Sequence, residues 1–430
     1  MIPTLKILAA LLIFSCGGHR PARAQEIITW GDCLKETHKN NPDLISAEED
    51  INIQKAGKDI TASALYPQIS ANVAGSTSKT STTSSSGITT SSTSDSYTYG
   101  VSGSQLIFDG SKSIQEVKAA SQNIEAARQA YRFTSSGVRL NLRSAFVALL
   151  KAQELTGVAE DIVKIRRNSL ILITLRYQSG LEHKGALLTA EANLAEANFE
   201  LSQARRNVEF AQRQVVKEMG RKEFMAVAVK GDFTVSDTVR AKPDFEELVT
   251  NNPSLLEAIA KKNSALFGLN SAYGDFYPEL SASAGAQKKS AQWPPENDQW
   301  NLGLSVTMPL FEGGLQFAQV SQAKARYRQL EADEMSVRNT AIVNLAQAWA
   351  GLQDAIETVE VRRKSLEAAK ERSKIAEAQY AAGFISFDDW IIIENTLVAA
   401  KKSYLDAQAD ALLFEAGWIQ AKGETLEYAQ

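Results

Sequence analysis

A duplicated set of helix and strand breaks constrains this chain more than any other feature of its sequence. Asn40-Asn41-Pro42-Asp43-Leu44 returns as Asn251-Asn252-Pro253-Ser254-Leu255, and Tyr66-Pro67-Gln68-Ile69-Ser70-Ala71 returns at the same offset as Tyr277-Pro278-Glu279-Leu280-Ser281-Ala282. After the next segment the offset shortens by eight residues and holds, carrying Gln105-Leu106-Ile107-Phe108-Asp109-Gly110 onto Met308-Pro309-Leu310-Phe311-Glu312-Gly313 and Tyr177-Gln178-Ser179-Gly180 onto Tyr380-Ala381-Ala382-Gly383. A repeat of this length means one architectural unit built twice. The two copies differ mainly in the loop of one hairpin.

Periodicity assigns the segments between these breaks. A residue before proline is pushed out of the helical region, so Tyr66-Pro67 and Tyr277-Pro278 mark helix-to-strand switches. Upstream of each Phe-acid-Gly turn, apolar residues alternate with small polar ones, as in a strand with unlike faces. Ile69, Ala71 and Val73 oppose Ser70 and Asn72; Tyr97, Tyr99 and Val101 oppose Thr98, Gly100 and Ser102. In the second copy Leu280, Ala282 and Ala284 oppose Ser281, Ser283 and Gly285, and Trp300, Leu302, Leu304, Val306 and Met308 oppose Asn301, Gly303, Ser305 and Thr307.

Downstream the period becomes helical. Val117, Ile124, Tyr131, Val138, Ala145, Ala152 and Ala159 fall seven apart, the coiled-coil period. The returning helices carry matching seams, Leu194-Ala197-Leu201-Ala204-Val208 and Leu397-Ala400-Tyr404-Ala407-Ala411. About 65 residues of helix make a rod of roughly 100 Å, more than a globular core needs.

The expected organisation is a signal peptide over 1–24, a first repeat over 28–220, a connector over 221–243, a second repeat over 244–423 and a tail over 424–430. Within the first repeat the hairpin spans about 67–108, the long helix 111–178 and the returning helix 184–219. Within the second they span about 278–311, 313–381 and 386–422. The fold class is mainly α with a transmembrane β part.

Lys6, the apolar run Ile7 to Phe14 and Ala22-Arg23-Ala24 have the form of a secretory signal with its cleavage site. Ile13-Phe14-Ser15-Cys16 offers a rival lipoprotein box with Cys16 as the acylated residue. Ser76 to Ser96 is almost entirely Ser and Thr and is expected to be a mobile loop tip, because it has little to bury. With 46 basic and 50 acidic residues and no basic block, nucleic acid is not an expected partner. His38 and His183 are far apart and read as surface helix residues. No metal-spaced His/Cys set, nucleophile elbow or phosphate loop is present, so neither enzyme activity nor a cofactor is expected.

From alternation alone the strands fit an ordinary half-buried sheet equally well. The export signal and the rods favour a membrane. Spanning barrels begin at about eight strands and lipid tolerates no open edge, so four strands per chain require several chains. Two chains would give a filled barrel, three a twelve-stranded one with room for a channel. An exported coiled-coil scaffold or adhesin is the competing reading; it explains the heptads but not Trp300 to Met308.

The duplicated Asn-Pro-x-Leu, Tyr-Pro-x-Ile/Leu-Ser-Ala, Leu/Ile-Phe-acid-Gly and Tyr-x-x-Gly motifs, in this order, resemble the TolC family of outer-membrane efflux proteins. The resemblance implies a homotrimer whose twelve-stranded barrel, set in outer-membrane lipid, continues as an α-helical barrel through the periplasm. It also implies an exit duct serving an inner-membrane pump and a periplasmic adaptor protein. Arg176, Tyr177, Gly180 and Leu181 match the family's first adaptor-contact turn, and Tyr380 and Gly383 the second. Asp389 matches the first position of its acidic periplasmic gate, with Tyr380 beside it. The gate's second aspartate is Ile392 here, and Ile385 replaces its locking arginine. Gly180 and Gly383 also suit left-handed helix caps, and Ser386-x-x-Asp389 a capping box.

Overall fold

The computed structural model describes residues 26–235 and 242–428. The signal peptide, Cys16 and part of the connector lie outside the described residues. Each repeat opens with short helices: α1 (Trp30–Asn40) and α2 (Pro42–Ala62) in the first, α5 (Phe245–Val249) and α6 (Pro253–Gly274) in the second. Hairpins follow, β2 (Gln68–Thr83) with β3 (Thr89–Phe108), and β5 (Glu279–Ser290) with β6 (Asp298–Thr307). Then come the rods α3 (Lys112–Gln178) and α7 (Leu315–Ala381), 67 residues each, and the 35-residue returning helices α4 (Lys184–Glu218) and α8 (Phe387–Ala421).

The duplicated Asn-Asn-Pro motif joins helices end to end. Asn41 accepts from the N–H groups of Asp43 and Leu44 through Oδ1, capping α2, while its Nδ2 donates to Glu218 O at 3.0 Å, capping the end of α4. Asn252 does the same between α6 and α8, accepting from Ser254 N and donating to Ala421 O at 3.2 Å. One amide thus serves the orphan donors of one helix and an orphan carbonyl of another. The abutting glycines leave no room for a side chain, since a Cβ on Gly220 would lie 2.3 Å from Asn40 O and one on Gly423 2.3 Å from Pro253 Cδ. Both also have positive φ, 72° and 77°. The N-terminus of α2 therefore abuts the C-terminus of α4, and that of α6 the C-terminus of α8.

The largest core gathers at these joints. Leu142, Phe146, Leu149, Val215 and Met219 are buried with Cys33, Leu34 and Leu44, and the connector adds β4 (Val227–Val229). That strand pairs in parallel with β1 (Glu26–Ile28), and the Gln153 side-chain amide exchanges two hydrogen bonds with Val229. In the second repeat Leu345, Leu352, Leu255, Val249 and Trp418 form the corresponding cluster.

The four long strands form one antiparallel sheet, ordered β2-β3-β5-β6. Its register aligns the alternations of all four strands. The row Ala71-Val101-Ala286-Trp300 is followed outward by Val73-Tyr99-Lys288-Asp298 and inward by Ile69-Gly103-Ala284-Leu302. A bulge at Ile107 shifts the parity of β3, so that Phe108 pairs with Leu280 and joins the apolar face beside Val306. The opposite face carries Ser70, Ser102, Gly285 and Asn301 in one row and Ser104, Ser283 and Gly303 in the next. Trp300, Leu302 and Leu304 are 82%, 77% and 69% exposed on one chain, which no water-facing sheet of this size would tolerate.

The Ser/Thr tract departs from the sequence expectation. It is not a loose loop: β2 and β3 stay in register from Gln68/Ser104 to Thr83/Thr89, leaving only residues 84–88 as the turn. A two-stranded ribbon satisfies its backbone groups by pairing, and threonine is a favoured strand residue. Beyond Tyr97, paired with Ser290, the ribbon continues with no third strand beside it among the described residues. Replacing residues 81–91, which lie between the paired Thr80 and Ser92, by a two-residue Asn-Gly turn is expected to shorten the ribbon without disturbing the sheet. Circular dichroism and the thermal midpoint should match the parent within error; a large loss of stability would show that the ribbon braces the sheet.

Candidate functional site: the clasped helical tips

At the end of the rods remote from the sheet, two helical turns meet. The first joins α3 to α4. Gly180 N donates to Tyr177 O and Leu181 N to Arg176 O at 2.8 Å, the paired bonds of a Schellman cap, with Gly180 at φ 73°. The second joins α7 to α8 in the same way, Gly383 N donating to Tyr380 O and Phe384 N to Gln379 O at 2.8 Å. Leu181 and Phe384, the residues after the glycines, stand out at the apices, 66% and 81% exposed. Tyr177 is partly exposed beside them.

Arg176 and Tyr380 hold the two turns together. The Arg176 guanidinium lies 4.8 Å from the centre of the Tyr380 ring and donates to Tyr380 O at 3.2 Å, capping the carbonyl end of α7. Its Nε is buried with no hydrogen-bond partner among the described residues. Tyr380, itself buried, stacks on Trp390 at 4.4 Å and donates its hydroxyl to Glu182 Oε2 at 2.8 Å. Burial, and then the Glu182 carboxylate, hold the Tyr380 phenol well above the usual tyrosine range. Ile173, Ala186, Ala190, Ala376 and Phe387 close the apolar cluster beneath.

Asp389 sits apart from this clasp, on the first turn of α8. Its N–H donates to Ser386 Oγ at 3.2 Å, and its carboxylate accepts from that hydroxyl at 2.6 Å. Asp388 and Asp389 are both exposed. His183 is exposed, as expected of a surface residue, and serves as the N-cap of α4, its Nδ1 accepting from Ala186 N at 3.1 Å. Glu182 and Trp390 were not singled out in the sequence, although Glu182 directly follows the Gly180-Leu181 turn.

A second polar contact missed from sequence lies about 15 Å along α3 from Arg176, at 1.5 Å per residue. Arg166 donates to Glu394 and to Asn395 on α8, and Ser169 Oγ donates to Glu394 Oε1 at 2.5 Å. Arg166 and Glu394 are 7% and 2% exposed. Among the described residues no group of three or more His, Cys, Asp or Glu side chains is placed to hold a metal ion.

The family model described as outer membrane efflux protein matches residues 33–221 and 245–423, both repeats almost entirely. This chain belongs to the outer membrane efflux protein family. It is 22% identical over 426 residues to the outer membrane efflux protein BepC of Brucella suis, covering 97% of this chain and 90% of BepC. It is 23% identical over 329 residues to the outer membrane protein TolC of Escherichia coli, covering 72% of this chain and 66% of TolC. A solved membrane protein of Pseudomonas aeruginosa shares the fold with a TM-score of 0.81 at 19% identity, over 91% of this chain and 92% of that one. As in the rest of this efflux family, the sheet belongs to the outer membrane and the rods form a large periplasmic part. Members of the family are channels, not enzymes.

Proposed function

We propose that three copies of this chain close a twelve-stranded barrel and a helical duct that together form the exit of a tripartite efflux or type I secretion system. The observation that carries this reading is the sheet itself, with one lipid-compatible face, one face of small polar residues, and unpaired edges at β2 and β6. Four strands can lose their edges in lipid only by pairing with other copies. Twelve strands lined by Gly, Ser and Asn leave a polar lumen.

Exposed apolar side chains on the rods support the same assembly. Leu188, Phe199 and Phe210 on α4 are exposed at eleven-residue spacing, about three helical turns, and so form one straight stripe. Val343, Val361 and Ile375 on α7 form a second. Each stripe suits the flank of a neighbouring copy.

The clasped tips are the proposed periplasmic end. Arg176, Tyr177, Gly180 and Leu181, with Tyr380 and Gly383, present the turns that a periplasmic adaptor would grip, led by exposed Leu181 and Phe384. Asp389 and Tyr380 are the proposed gate elements, Asp389 contributing one carboxylate per copy around the narrow mouth. An inner-membrane pump would deliver substrate through that adaptor. Native mass spectrometry in detergent, followed by recordings in planar bilayers, tests the reading; a trimer with discrete conductance steps is expected. A monomer, or a protein soluble without detergent, would favour the scaffold reading.

A further inference from the structure

The apolar face of the sheet is not flat. Near its outer end, between Tyr99 and Trp300, it sinks into a niche of about 620 Å³. Ala71, Val101 and Ala286, side by side in register, supply small side chains between those two aromatics. Lys288, directly opposite Tyr99, lines the outer end of the niche. The surface there is overwhelmingly apolar apart from the lysine and the Asp298 it pairs with at 3.2 Å.

The height of the niche identifies its surroundings. From Leu280 to Lys288 the strand runs about 26 Å at 3.3 Å per residue, which at the usual barrel tilt of about 40° spans about 20 Å of height, most of the lipid-facing band of such barrels. At this level Trp293 folds back against Tyr97 and Tyr99, with ring centres 6.2 and 6.3 Å apart. Aromatic girdles mark the level of lipid headgroups. The niche therefore straddles the boundary between acyl chains and headgroups, and it faces the outer leaflet because the hairpin tips point away from the periplasmic rods.

We propose that this niche holds an acyl chain of a phosphorylated glycolipid of the outer leaflet, whose phosphate accepts hydrogen bonds from Lys288. An ammonium has three donors, and the bond to Asp298 uses one. The Asp298 side chain is 79% exposed, so its carboxylate can turn to water when the phosphate arrives. All four strands that frame the niche come from one chain. The site thus rests on the outer-membrane placement of this sheet face and not on the number of copies in the barrel.

Native mass spectrometry of delipidated protein in detergent, with lipid A added back, tests the proposal. Adducts up to one per chain are expected, with dephosphorylated lipid A and phosphatidylethanolamine binding more weakly. Lys288→Gln should weaken lipid A binding roughly five-fold, the effect of about 1 kcal/mol for one basic residue at a membrane surface. Ala286→Trp should fill the niche and abolish binding. Lys289→Gln, on the neighbouring position that points to the other face, should leave binding unchanged. Equal binding of dephosphorylated lipid A, or of lipid A to the Lys288→Gln protein, would overturn it. Oligomer mass is read in the same spectra, so loss of lipid from an intact oligomer is distinguishable from failure of the barrel to assemble.

Discussion

Replacing Glu394 by Leu while Arg166 stays in place is expected to destabilise the folded chain by about 3–5 kcal/mol, the usual cost of stranding one charge of a buried pair. The Arg166 guanidinium would keep Asn395 but lose the carboxylate, and Ser169 Oγ would lose its acceptor. The double variant Arg166→Met/Glu394→Leu removes both charges and should regain most of the loss, because an apolar pair of similar volume avoids the desolvation that the ions incur. Denaturation midpoints of the two variants in detergent decide the matter. A single variant as stable as the parent would mean that water reaches Arg166. A double variant no better than the single would mean that the polar cluster fixes the alignment of α3 against α8 in a way packing cannot replace.

This pair also shows where sequence reading stopped. The strands, their faces and the ends of the long helices were legible because each is set locally: by prolines that exclude helix, by glycines in left-handed caps, and by periods of two and seven. Arg166 and Glu394 are separated by more than a whole repeat, and the heptad shows which side of each helix is apolar but not which partner it meets. The Tyr380–Glu182 contact is hidden for the same reason. Tyr380 stood out through its motif, whereas Glu182 is one acid among many until the two turns are brought together. The order of the Ser/Thr ribbon is hidden from composition for a different reason, since backbone pairing can order a segment that buries nothing.

Tyr380→Phe is expected to raise the open probability of the channel, in proportion to one lost hydrogen bond between the two turns. Such a bond to a carboxylate contributes about 1.5–3 kcal/mol, so the ratio of closed to open channels should fall roughly ten- to hundred-fold. Glu182→Gln should move it the same way by less, because a neutral amide can still accept from the Tyr380 hydroxyl. The expected pH dependence follows from the raised pKa of Tyr380. A phenol whose folded-state pKa lies above its unfolded value contributes stability that is fully present below about pH 10, and this is lost only as pH rises through the folded value. Between pH 7 and 9 Tyr380 therefore stays a donor, and the wild-type open probability should not change through it. Asp389→Asn is the informative contrast. It leaves the Arg176–Tyr380–Glu182 clasp intact and removes one carboxylate per copy from the proposed mouth, so on that reading it should lower cation selectivity, as expected when a ring of acids is diluted, without opening the channel. Single-channel recordings of the three variants in symmetric and graded salt separate latch from ring. If Tyr380→Phe leaves gating unchanged while Asp389→Asn opens the channel, the clasp is only a structural joint between the turns and closure belongs to the start of α8.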